Sequence, residues 1–249
     1  MYQPEIELPS RWMNAAGTQG FSPPAPWSMP EPQGVFITNP LSRRPRSPAG
    51  LRAAISYPGG LLLHSGLPNP GFHSILRKVS AQWARSPLPV WVHLIPGSPA
   101  ETAEMVRELE EVEGVAAVEI GLEPGLESAA VLDILSAAAG ELPIIAAAPL
   151  NSPWQDWIRR CSSVGVSTIT LSAPRGSHLG PGGAVISGRL YGPALFPLVL
   201  SAVRELRPSG LKVIAGAGIF GLREGKILLS AGAEAVQIDL ALWKGYLEP

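Results

Sequence analysis

The chain has 249 residues, 46% hydrophobic and only 16% charged, which excludes a disordered polymer and implies a large buried interior. A formal net charge of −1 and a pI near 6.4 exclude the basic face that nucleic-acid binding needs. The one cysteine, Cys161, excludes an internal disulfide.

The N-terminus shows no basic stretch followed by a long apolar run, so a cytoplasmic address is expected. The longest apolar stretch, Ala194 to Val203, contains Pro197 and is shorter than the ~20 residues of a membrane span. No membrane partner is expected. One domain over residues 1–249 is expected, because closed α/β barrels use this length around a single core.

The first third holds two strand-like runs, Trp12 to Ala15 and Gly34 to Thr38, around a proline-rich stretch with Pro23, Pro24, Pro26, Pro30 and Pro32. Loops should dominate there. The basic run Arg43-Arg44-Pro45-Arg46 reads as a solvated loop or as a contact for an anion.

From Pro89 onward, short apolar runs alternate with helical patterns. The strand candidates are Val90 to Leu94, Ala116 to Ile120, Pro143 to Ala147, Ser167 to Leu171, Leu211 to Ala215 and Glu234 to Ile238. Each is short and apolar, as parallel strands buried on both faces must be. Ser98-Pro99-Ala100-Glu101 and Ser152-Pro153-Trp154-Gln155 each place an N-cap serine before a proline, so a helix should start at each. After the first, Met105, Val106, Leu109 and Val112 form an apolar stripe, and Gly114 can end the helix in the left-handed region.

Cys161 follows Trp154, Trp157 and Ile158 at helical spacing, the pattern of a packing residue. The glycine- and proline-rich segment from Ser172 to Tyr191 is too long for a plain connection and should lie over the barrel mouth as a lid or loop. The two early and six later strands make eight, the number that closes a (β/α)8 TIM barrel.

His64, His73, His93 and His178 are scattered without H-x-x-H or C-x-x-C spacing, so no metal is expected. His93 and His64 are placed to face the mouth, with a hydrogen-bonded structural histidine as the ordinary role.

Four segments carry a resemblance: Met13 to Thr18, Gly66 to Gly71, Gly192 to Pro197 and Ala231 to Gln237. In these the chain resembles class 1 dihydroorotate dehydrogenases, FMN-binding (β/α)8 barrels of pyrimidine biosynthesis. The resemblance implies FMN as cofactor, with the backbone of Ala15, Ala16 and Gly17 against the flavin. It puts Asn39, Gly188, Arg189, Gly216, Gly218 and Asp239 at the remaining cofactor positions. On the substrate side it implies His64, Gly66 and Asn69. Family members often pair through barrel faces, so a homo-oligomer, or a heteromer with another barrel subunit, is expected.

The same resemblance shows departures. Asn39 and Ala147 stand where the family has lysines near the flavin, and the whole chain has only four lysines, at 78, 212, 226 and 244. Gly121 and Glu123 stand where the family has amide side chains that grip orotate. Leu63 replaces an asparagine, and Leu171-Ser172-Ala173 replaces an Asn-Thr pair. Asp239-Leu240 replaces Gly-Thr after the eighth strand, where a carboxylate would repel a cofactor phosphate. Ala217 replaces a glycine, and Gly188-Arg189 replaces Gly-Gly, so Arg189 is expected either to pair with Asp239 and fill the vacated anion site or to offset it enough to bind phosphate itself.

No residue is assigned as the catalytic base. Ser128, Ser172, Ser177 and His178 lie on mouth segments, where serines are commonly turn formers. Three functions follow: a barrel with lost or altered redox catalysis acting as a structural or regulatory subunit, a working FMN-dependent enzyme oxidising dihydroorotate to orotate with a rearranged site, or a homologue binding a different ligand in the old mouth.

Overall fold

The computed structural model describes residues 6–23, 27, 29–50 and 53–244; Pro24 and Pro26 of the proline-rich stretch lie outside them. In chain order the strands begin β1 (Trp12–Asn14), β2 (Gln33–Ile37), β3 (Ala53–Tyr57), β4 (Gly60–His64), β5 (Val90–Leu94) and β6 (Val115–Gly121). They continue β7 (Ile144–Pro149), β8 (Thr168–Ser172), β9 (Arg175–Leu179), β10 (Val185–Tyr191), β11 (Lys212–Gly216) and β12 (Ala235–Ile238). The helices are α1 (Phe72–Trp83), α2 (Pro99–Glu110), α3 (Ser128–Ala138), α4 (Phe196–Leu206), α5 (Leu222–Ala231) and α6 (Leu240–Lys244).

Eight strands close a parallel barrel in the order β1-β12-β11-β8-β7-β6-β5-β2. These are the eight expected from the apolar runs, and the fold is a TIM barrel. Alternation along each strand divides the core in two. Val90, Val92 and Leu94 of β5 face the helices with Val118 and Ile120 of β6. Trp91 and Ala117 turn inward and meet Met13, Val35, Ile145 and Ile214 inside the barrel.

Helix α2 begins as its sequence requires. Ser98 Oγ accepts the Glu101 N–H and the Glu101 carboxylate accepts the Ser98 N–H, both at 3.2 Å. Met105, Val106 and Leu109 are fully buried beneath it, each contributing about 2 kcal/mol. Gly114 follows with φ of 90°.

Ser152 does not cap a helix. Its hydroxyl donates back to Pro149 O at 2.7 Å, and the segment forms two 3-10 stretches, Trp154–Asp156 and Ile158–Val164. Cys161 is fully buried within the second.

A second sheet departs from the sequence reading. Strands β3, β4, β10 and β9 pair antiparallel in that order. The loop-dominated first third therefore contributes a hairpin, and the expected lid at 172–191 is a second hairpin laid against it. Neither signals itself locally, because Arg189 of β10 pairs with Leu63 of β4 across a long stretch of sequence. Among the described residues no helix is long and apolar enough to cross a membrane.

Candidate functional site

One layer above the apolar barrel interior, inward positions on four strands carry polar side chains. His93 of β5 and Glu119 of β6 are register partners, and His93 Nδ1 lies 2.6 Å from Glu119 Oε2. Thr170 of β8 and Gln237 of β12 each donate to Glu119 Oε1 at 2.7 Å. Glu119 is 1% exposed. Burial pushes its carboxyl upward, but the His93 ring and the Thr170 and Gln237 donors outweigh that and hold it below its ordinary value. An ionised Glu119 only accepts, so His93 Nδ1 carries the proton. His93 Nε2, the other ring nitrogen, is buried without a partner. A Cβ at residue 121 would sit 2.6 Å from this nitrogen; the glycine there leaves the ring its space.

Above this layer lies an inner cavity of about 20 Å³, which His93, Ala147, Ser172, Arg189, Gln237 and Asp239 help to line. Asp239 stands between the end of β12 and the start of α6. Its Oδ1 accepts the backbone N–H of Leu240, while Oδ2 is buried with no partner. Burial pushes its carboxyl up to about 7. The pair expected between Arg189 and Asp239 is not formed. The Arg189 guanidinium lies instead beside the Tyr191 hydroxyl, which burial pushes upward and Arg189 pulls the other way.

The inner cavity opens beside a wider pocket of about 200 Å³, to which β4, β9 and β10 contribute His64, Arg175, Arg189 and Tyr191. Arg46, Glu123 and Trp243 complete its polar and aromatic wall. One Arg175 nitrogen donates to both Glu123 oxygens at 2.6 Å. The Tyr191 and Trp243 rings meet edge to face with centroids 5.5 Å apart.

Of the cofactor positions carried over from the resemblance, Ala15, Ala16, Arg189, Gly216 and Asp239 line the inner cavity, and Gly17 lines the outer pocket. On the substrate side, His64 and Gly66 line the outer pocket too.

Four others line neither. Asn39 accepts the Gly20 N–H at 3.0 Å and so pins the loop after β1. Asn69 accepts the Gly71 N–H at 3.0 Å and donates to Leu67 O at 3.2 Å, holding its own turn. Gly188 is required by the sheet, since a Cβ there would meet Leu63 O at 2.5 Å. At Gly218, φ is +72° and a Cβ would meet Phe196 N at 2.5 Å, so this glycine serves the packing of α4.

Among the base candidates, Ser172 lines the inner cavity, Ser128 opens α3, Ser177 bonds Ser187 at 2.7 Å, and His178 is exposed at Leu179 O. Of the basic run, Arg43 is committed to Glu104 and Glu108 of α2, whereas Arg46 reaches the pocket. Sequence reasoning missed the Glu119 cluster, Arg175, Tyr191 and Trp243. Period-two alternation carried the first: positions 93, 119, 170 and 237 share the inward parity of the buried apolar layer below them. Among the described residues no group of three or more His, Cys, Asp or Glu is gathered to hold a metal ion.

No family model matches the sequence. The chain is 27% identical to the catalytic subunit of dihydroorotate dehydrogenase B (NAD(+)) of Trichlorobacter lovleyi, over 95% of this chain and 84% of that protein. It is 28% identical to the same-named subunit of Pelobacter propionicus, again over 95% and 84%. Ligand-free dihydroorotate dehydrogenase of Eimeria tenella superposes with a TM-score of 0.74 at 14% identity, covering 94% of this chain and 80% of that one. The chain is thus similar to dihydroorotate dehydrogenases over most of its length, in line with the resemblance read from its motifs.

Proposed function

We propose that this chain is a single-domain, cytoplasmic barrel of dihydroorotate dehydrogenase ancestry in which flavin-dependent oxidation is lost and the mouth is kept as a site for a small ligand. The observation that carries this reading is Asp239. Barrel enzymes commonly hold a cofactor phosphate on the loops after the seventh and eighth strands and the start of a short extra helix. Here β11 and β12 are those strands, and α6 is the short helix. Asp239 takes the first N–H of α6 with its own carboxylate.

FMN does not fit these residues. A phosphate ~4 Å from Asp239 either meets an ionised carboxylate, a repulsion of about 4 kcal/mol per unit charge at an effective dielectric of ~20, or requires the carboxyl, pushed up to about 7 by burial, to stay protonated. The inner cavity of about 20 Å³ and the adjoining pocket of about 200 Å³ together fall short of the roughly 300–1,000 Å³ of ligand pockets. Ala147 offers no cation for a reduced flavin.

The second reading, a working FMN enzyme with a rearranged site, draws on Ala15, Ala16 and Gly216 lining the mouth as the resemblance implies. An association with a second barrel subunit draws on Leu179 and Val185, register partners on the β9–β10 hairpin that are 64% and 70% exposed.

Absorbance of the purified protein, followed by FMN titration and a dihydroorotate oxidation assay, tests the proposal. A colourless protein that neither takes up FMN nor oxidises dihydroorotate is expected. A yellow protein with stoichiometric flavin, bleached by dihydroorotate, overturns it in favour of the second reading.

A further inference from the structure

The antiparallel ladder between β9 and β10 sets Arg175 directly opposite Arg189. Like charges facing each other across strands destabilise a sheet. Both side chains reach the outer pocket, and Arg46 lines it as well. Arg46 donates through Nε to Gly66 O at 3.2 Å, which leaves its two terminal nitrogens for a ligand.

Among the described residues lining the pocket, Glu123 is the one carboxylate that faces these three guanidiniums. Glu123 engages a single terminal nitrogen of Arg175, so the rest of that fork stays open. Arg189, half-buried, pairs with no carboxylate among the described residues. Among the described residues that line this pocket, three guanidiniums stand against Glu123, an excess of two positive charges, with Asp239 in the adjoining cavity. A folded chain that gathers uncompensated guanidiniums around a concave space has built an anion site, and guanidinium forks bind phosphate oxygens in pairs.

We propose that the outer pocket binds a small phosphomonoester, whose phosphate bridges Arg175 and Arg189 with Arg46 at its rim. A phosphate dianion matches the two-charge excess. The space of about 200 Å³ is below the roughly 300–1,000 Å³ of drug-sized ligand pockets; it suits the phosphate and a short organic body against Tyr191 and Trp243, not a nucleotide. The site is built on the second sheet, with Arg189 and Tyr191 shared with the inner cavity that Asp239 lines. This inference rests on the reading that the mouth serves a small ligand other than flavin.

Isothermal titration of the full chain with inorganic phosphate and with glycerol phosphate tests it, with acetate and FMN run in parallel. Saturable phosphate binding is expected at pH 8, weakening below pH ~6 as the second phosphate proton returns, with acetate binding at least tenfold more weakly. Arg189→Ala should weaken phosphate by at least tenfold, and Arg189→Lys should restore only part of it because the planar fork is lost. A thermal melt of each variant confirms that it folds. Absence of saturable binding by the wild type, equal binding by acetate, or undiminished binding by folded Arg189→Ala overturns the inference. If FMN is also refused, the loss of flavin stands without it; tight FMN binding overturns the underlying reading instead.

Discussion

His93 donates through Nδ1 to Glu119 at 2.6 Å, and both side chains are sealed inside the barrel, 3% and 1% exposed. Removing one partner of such a pair leaves a buried group without its counterpart, at a cost of about 3 kcal/mol. Glu119→Gln should therefore lower the melting temperature by roughly 6–12 °C for a chain of this size. Because Glu119 is held below its ordinary value of 4.5, its contribution is present above that pH and is lost as pH falls through the folded value. The gap between wild type and variant, followed by calorimetry, should narrow in acid; an unchanged melting temperature at pH 7 would show the pair to be dispensable.

Asp239 works in the opposite direction. Its folded value stands at about 7 against an ordinary 3.8, so the folded chain holds a proton that the unfolded chain has released. Stability therefore declines as pH rises from about 4 to about 7, by about 1.4 kcal/mol for each unit of the shift. Asp239→Asn should stabilise the protein by a few kcal/mol at pH 8 and by much less at pH 4. Melting curves at the two pH values check this, and an equal shift at both would contradict it.

A methyl group at residue 121 has nowhere to go. It would lie 2.6 Å from His93 Nε2, and the ring cannot swing away without breaking its bond to Glu119. Gly121→Ala should cost about 1–3 kcal/mol. In a His93→Ala background the same change should be nearly neutral, so a double-mutant cycle with a coupling above ~1 kcal/mol is the expected result.

Burial pushes the Cys161 thiol up to about 12, so almost no thiolate forms near neutral pH, and it is the thiolate that reacts. The native protein should resist a thiol reagent such as iodoacetamide, then take up one equivalent on unfolding. Mass spectrometry of the labelled chain decides, and rapid labelling of the folded protein would refute the packing role.

The barrel was legible because each strand is a short apolar run set off by turn residues. Val90 to Leu94 sits after Pro89, and α2 opens on Ser98-Pro99. The second sheet was not legible, since β9 and β10 carry glycine, serine and arginine in place of apolar alternation, and β10 finds its partner in β4 through distant pairing. At the site, Asp239 and Arg189 stood out as departures from the family pattern, yet their expected pairing failed. The Leu240 N–H, one residue along the backbone, reaches the Asp239 carboxylate first. His93 was read as a hydrogen-bonded histidine, which is true of Nδ1 only; that Nε2 is left over depends on the absent side chain at residue 121, a relation between two strands that no local pattern carries.

A carboxyl supplied from within the chain at the start of α6 accepts that helix's first N–H and makes the last turn of the barrel self-sufficient. On the proposed loss of flavin, maturation of the protein would owe nothing to the riboflavin supply, and cells deprived of that vitamin should accumulate it at full yield and full thermal resistance.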